Sequence, residues 1–160
     1  MGEASADVRT LSEQECLDVL ARASIARLGC YSPSNDESYV VPTSIQYHPG
    51  AVYFASIPGQ KLRFLTEHPR GICVEVEETE PNGGRFTVVV TGDFEQVQAE
   101  LPKGERPKRG PMRSIFEDSP VPYPRESLVL CKVTVRKVSG RHDRWSWPLD
   151  FPLPLPAGKE

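Results

Sequence analysis

The sequence predicts a mainly β domain, a small closed or half-closed antiparallel barrel of six strands, with one helix in front and a short helix after the third strand. Three observations carry this. Six segments alternate apolar and polar residues at period two, at short intervals along the 160 residues. Only two stretches carry helical spacing, too few to cross over a parallel sheet. No G-x-G-x-x-G follows any strand, which excludes a doubly wound nucleotide fold.

The front helix is "LSEQECLDVLARAS". Ser12 caps it, Glu15 reaches back in an S-x-x-E capping box, and Leu11 and Cys16 are placed as a hydrophobic staple. Leu17, Leu20 and Ala21 are read as its apolar face. "IARLGC" opens the strands, followed by the turn-rich "YSPSNDES" and then "YVVPTSIQY". "HPG" turns the chain into "AVYFAS". After the short helix, Ile72, Val74 and Val76 of "ICVEVE" share a face. "PNGG" leads into "RFTVVVTGDFEQVQ", where Phe86, Val88, Val90 and Phe94 align and Gly92 signals a bulge or sharp bend. In the last strand, "LVLCKVTVRKV", Val129, Cys131, Val133 and Val135 lie on one side. Residues 101–125, rich in Pro and basic side chains, read as a surface loop. The domain is expected to span 1–141, with a Trp/Pro-rich tail over 142–160 whose prolines favour extended polyproline geometry.

A formal net charge of −3 makes nucleic acid an unexpected partner. No apolar run approaches the ~20 residues of a membrane span, and the N-terminus lacks the basic start and apolar stretch of a signal peptide. Cys16, Cys30, Cys73 and Cys131 are irregularly spaced and do not cluster with His48, His68 or His142, so no metal site is expected. Their placement in periodic segments predicts reduced, buried thiols in a cytoplasmic protein.

One stretch points to chemistry. "SIPGQKLRFLTEHP" places a hydroxyl, a glycine and a lysine where a strand gives way to a helix. Helix N-termini carry free N–H groups and partial positive charge, and so favour phosphate. Gly59 lets an anion approach the backbone, Lys61 adds a full charge, Ser56 offers a hydroxyl, and Arg63 stands close by. Pro69 ends the helix after about two turns. Alone, the pattern is equally that of a solvated helix start.

The order "YVVPTSIQYHPGAVYFASIPGQKLRFL … GICVEVEE … GRFTVVVTGDFEQV … LVLCKVTVRKVSGR" resembles the pyridoxamine 5′-phosphate oxidase-like flavoproteins, and among them the small bacterial branch related to nitroimidazole-resistance proteins. The resemblance runs from about Leu11 to Arg141. It implies a split β-barrel homodimer with two flavin mononucleotides (FMN) at the subunit interface. Ser56, Gly59, Gln60, Lys61 and Leu62 would form the phosphate clamp. Pro42, Thr43, Ser44 and Ile45 would lie along the isoalloxazine ring, and Thr87 would come from the partner subunit.

Three positions depart from the family pattern. Ala55 stands where many relatives carry a functional side chain, so no catalytic residue is assigned. Phe86-Thr87 replaces Trp-Ser, and Gln60 replaces the Arg of true oxidases. "GRHDRWSW" resembles an R-L-H-D-R segment of those oxidases but lacks the Leu, and is read as a coincidence with Arg141 and Arg144 solvated. The function implied is a flavin-dependent oxidoreductase acting on a small molecule, the cofactor carrying the electron chemistry. The alternatives are a non-catalytic flavin, deazaflavin or haem binding or storage protein, and a dimerising scaffold without cofactor.

Overall fold

The computed structural model describes residues 6–97 and 128–145. The loop expected over 101–125 and the tail beyond 145 lie outside the described residues. Ten elements follow in order: β1 (Ala6–Thr10), α1 (Glu13–Arg22), β2 (Ile25–Ser32), β3 (Glu37–Ser44), β4 (Gln46–His48), β5 (Ala51–Ser56), α2 (Gln60–Glu67), β6 (Ile72–Thr79), β7 (Gly84–Gln96) and β8 (Val129–Trp145). The strands form one antiparallel sheet with the path β3-β2-β6-β7-β8-β5-β4, and β1 pairs the far end of β8. Strands β3 and β4 end that path yet are separated in sequence by Ile45 alone, so the sheet curls back on itself.

The mainly β fold with two small helices is as expected, with eight strands instead of six. "YVVPTSIQY" is two strands, because Ile45 turns its side chain into the core and donates its N–H to the Ser24 carbonyl at 2.9 Å. β1 has no counterpart in the sequence reading. Its one aliphatic residue of any size, Val8, is exposed, and the strand is held by its ladder from Thr10↔Arg141 to Ala6↔Trp145. The same ladder carries β8 past Arg141, through the first four residues assigned to the tail.

β8 reaches three partners because it is 17 residues long and bends. Thr91 pairs Lys137 while Gly92 pairs Val135, which leaves Arg136 as the extra residue of a bulge. A Cβ on Gly92 would lie 2.2 Å from the Thr134 carbonyl oxygen, so glycine is required where the strands press together. The bulge signal read from Gly92 is therefore correct.

Helix α1 starts as its sequence predicts. The Ser12 hydroxyl accepts from Glu15 N–H at 3.3 Å and the Glu15 carboxylate accepts from Ser12 N–H at 2.8 Å, both arms of a capping box. Its buried face is Cys16, Val19 and Leu20, however, and Ala21 is exposed. The 3.6-residue period from Cys16 selects 19, 20 and 23, and position 21 falls on the far side. Phe54, Phe64, Leu65, Ile72, Val74, Val76, Val88, Val90 and Val133 complete the core.

The cysteines need one correction. Cys16, Cys30 and Cys131 are buried, but Cys73 is exposed. It alternates with Ile72 and Val74, both in the core, and so takes the outward face of β6. Neither helix of the described residues is long and apolar enough to cross a membrane.

Candidate functional site

Strand β5, the turn at Pro58-Gly59 and helix α2 bring the candidate residues together. Phe54 of β5 is fully buried beside Cys131, its register partner on β8. Three residues past β5 the chain reverses at Gly59, the N-cap of α2, which offers no side-chain capping bond. The first intrahelical bond runs from Arg63 N–H to the Gly59 carbonyl at 3.0 Å. The N–H groups of Gln60, Lys61 and Leu62 thus have no helical acceptor. The first turn holds no acidic residue to offset their partial charge.

Lys61 folds inward from this end. Its Nζ lies 3.5 Å from the Thr43 hydroxyl of β3 and 5.5 Å from the centre of the Phe54 ring. Burial pushes its pKa below the usual lysine value, with the neighbouring Cys131 and Cys30 acting in the opposite direction. No carboxylate lies within ion-pair distance of it among the described residues, whereas Arg9, Arg22, Arg27, Arg85 and Lys132 all have one. Cys131 is itself pushed up to about 12 by burial, so this flank stays a neutral thiol. A desolvated ammonium and three free N–H groups share one end of a helix with no anion to answer them.

The other expected residues divide. Thr43 and Ile45 are buried and face inward, while Pro42 and Ser44 face outward on β3. β3 ends the strand path, the position where proline is tolerated. Gly59 and Gln60 are exposed at the helix mouth and Leu62 is buried beneath it. Ser56 is buried and donates to the Ile57 carbonyl at 3.0 Å, not to Lys61 or Thr43. Thr87 sits on the face of β7 opposite the core residues Val88 and Val90, opposed by Glu77 and Arg141. One chain therefore does not bring Thr87 to the Lys61 cradle.

The "RHDR" segment has structural employment. Asp143 is 1% exposed and accepts two hydrogen bonds from Arg85, both at 3.1 Å, with Arg141 Nε at 3.6 Å. His142 Nε2 lies 2.8 Å from Glu80, and its ring centre is 4.5 Å from that of Phe86. These contacts tie β7 to β8, so Arg141 is an ion-pair partner as well as a solvated side chain. Sequence reasoning missed Phe54 as the floor under Lys61, although its apolar place in "AVYFAS" was visible. His48 and His68 are both exposed, at the end of β4 and the C-cap of α2. Among the described residues no three His, Cys, Asp or Glu side chains gather as a metal site.

The profile of the family described as pyridoxamine 5′-phosphate oxidase matches residues 12–142. The chain belongs to this family. The Mesorhizobium loti structure described as a FAD-binding protein superposes with a TM-score of 0.71 and 31% identity, covering 84% of this chain and 97% of that one. A Mycobacterium smegmatis structure described as the FAD binding protein is 18% identical with a TM-score of 0.59, over 84% of this chain and 97% of that one. A candidate 5-nitroimidazole antibiotic resistance protein from Bacteroides thetaiotaomicron is 14% identical with a TM-score of 0.66, over 91% and 95% of the two chains. These last two share the fold, the split barrel of the family. An uncharacterized protein of Rhizobium meliloti is 33% identical over 92 residues, 58% of this chain and 59% of its own length.

The electrostatics of Lys61 have a measurable sign. A lysine whose folded pKa lies below its unfolded value costs stability while both states are protonated, and the cost disappears as pH rises through the lysine range. Replacing Lys61 by Met keeps the contact with Phe54 and removes the buried charge. Lys61→Met is expected to raise the melting temperature of the ligand-free protein at pH 7, the gain shrinking as pH rises. A lower melting temperature at pH 7 would show that the charge is satisfied internally.

Proposed function

We propose that this protein binds a flavin through its phosphate, at the N-terminus of α2 and Lys61, and uses it in oxidation or reduction of a small molecule. The observation that carries the proposal is Lys61, a half-buried cation with no carboxylate partner among the described residues, placed at an uncapped helix end. A phosphate supplies the missing anion for both groups at once, through charge-assisted hydrogen bonds. The FAD-binding description of the Mesorhizobium loti protein, which is similar over most of both chains, supports flavin as the carrier of that phosphate. FMN bears the one phosphate the clamp requires. A deazaflavin phosphate would meet the same groups, and the absorption spectrum of the bound ligand separates the two. Haem is disfavoured, since the exposed His48 and His68 do not face the cradle.

The flavin, when bound, supplies the electron chemistry. The chain's own contribution is binding and orientation. Lys61 and the N–H groups of residues 60–62 fix the phosphate, and Thr43 holds the lysine in place. β3 presents its open edge and the backbone of Pro42–Ile45 for hydrogen bonds to a polar ring rim. Ala55 offers no acid or base, so proton transfer by a protein group is not part of the proposal.

Two chains complete the site in this proposal. Thr87 faces away from its own cradle, and the outward face beside β3 carries exposed Val40 (66%) and Ile25 (61%). Apolar residues so exposed on an unpaired edge suit an interface with a second copy. A monomer in light scattering of the flavin-loaded protein at micromolar concentration would contradict the shared site.

The clamp is tested by titrating flavin-free protein with FMN and with riboflavin. Lys61→Ala is expected to weaken FMN binding by about 1.5–3 kcal/mol, the range for hydrogen bonds to charged groups. Riboflavin, which lacks the phosphate, should bind the variant as it binds the parent. Equal losses for the two ligands would remove Lys61 from the phosphate site.

A further inference from the structure

The N-terminus of α2 also opens onto a second space that a mononucleotide leaves unused. It is a groove of about 520 Å³ lined by Pro58, Gly59, Leu62, Arg63, Thr66 and Gln96, with Glu67 at its edge. Positions 59, 62, 63 and 66 form one face of the helix. Lys61 leaves the helix elsewhere, toward Thr43 and Phe54, and is not part of the groove lining. Cradle and groove therefore meet only at the helix mouth, where the free N–H groups of Gln60, Lys61 and Leu62 lie. A volume in the range of about 300–1,000 Å³ is that of a small-molecule site.

Two further observations bear on what would cross that mouth. Gly59 has φ 171 and ψ −167, an extended backbone that any residue adopts, and nothing lies within 4 Å of where its Cβ would stand. Neither backbone nor packing within this chain calls for glycine there, and the space it leaves is open. Arg63 stands on the groove wall with its guanidinium 5.6 Å from the Phe64 ring centre. Among the described residues it has no ion-pair partner at contact distance. Its nearby carboxylate, Glu67, is held low by bonds from Ser32 and Ser34 and only weakly by Arg63. The groove thus has a cation on one wall and apolar surface from Pro58 and Leu62.

We propose that this groove holds the adenosine-phosphate half of flavin adenine dinucleotide. The diphosphate spans the helix mouth past Gly59, its inner phosphate on Lys61 and its outer one on Arg63. The base lies against Pro58 and Leu62, and the Gln96 amide offers a hydrogen bond to the ribose or base. The proposal rests on the flavin reading above and adds that the dinucleotide is preferred to FMN.

Fluorescence titrations of the flavin-free full chain with flavin adenine dinucleotide and with FMN test it. The parent protein is expected to bind the dinucleotide about tenfold or more tightly, the factor for one charge-assisted contact. Arg63→Ala, which removes an exposed side chain, should erase that margin and leave FMN affinity unchanged. Thr66→Trp, which fills the groove from an exposed position, should do the same. Equal binding of the two flavins by the parent, or parallel losses for both in the variants, would overturn the groove assignment while leaving the clamp standing. Binding of neither flavin would overturn both.

Discussion

Strand β8 pairs β5 over its first six residues, β7 along nearly its whole length and β1 at its far end, so three strands take their place from one backbone. A straight strand could not serve all three. The extra residue Arg136, opposite the close contact of Gly92 with Thr134, increases the local twist and lets the sheet curl. The curl brings β3 and β4, the ends of the path, to either side of Ile45. It also sets β5 against β8 so that Phe54 and Cys131 make an apolar floor. The position of α2 follows, because only Ile57 to Gly59 separate it from β5.

That floor explains why the cradle is electrostatically unfinished. A lysine over an aromatic ring and beside neutral thiols gains cation–π attraction but loses hydration, and the net effect of burial is to disfavour its charge. Elsewhere the described chain matches its cations to carboxylates, down to the buried Asp143 with Arg85 and Arg141. The mismatch is local to the helix end where anions bind best. A group tuned to bind is often one that the fold alone would be more stable without.

Much of this was legible from residue order. The capping box of α1, the alternating faces of β6, β7 and β8, and the bulge at Gly92 were each predicted by a local rule that the packing obeys. Ser–Gly–Lys was recognisable as a phosphate motif because its elements are adjacent in sequence. What could not be read was whatever depends on pairing across the chain. β1 has too little apolar patterning to announce itself, and its ladder to Arg141–Trp145 is a backbone property. The exposure of Cys73 follows from the register of its strand, and a cysteine's chemistry does not reveal which face it takes. Phe54 and Thr43 become site residues only when β5 and β3 are folded around Lys61. Ser56, prominent in sequence, turns its hydroxyl to its own neighbour's carbonyl.

The central claim is that Lys61 is held in wait for a phosphate. It is tested most directly by following the Lys61 side-chain resonance through a pH titration, in protein labelled at the lysine ε-carbon and assigned with Lys61→Met. In the ligand-free protein the pKa is expected below the usual lysine value, as burial dictates. Saturation with FMN is expected to raise it, because the phosphate favours the charged form, and saturation with riboflavin is expected to leave it low. An ordinary lysine pKa in the ligand-free protein, or the same response to both ligands, would contradict the phosphate clamp.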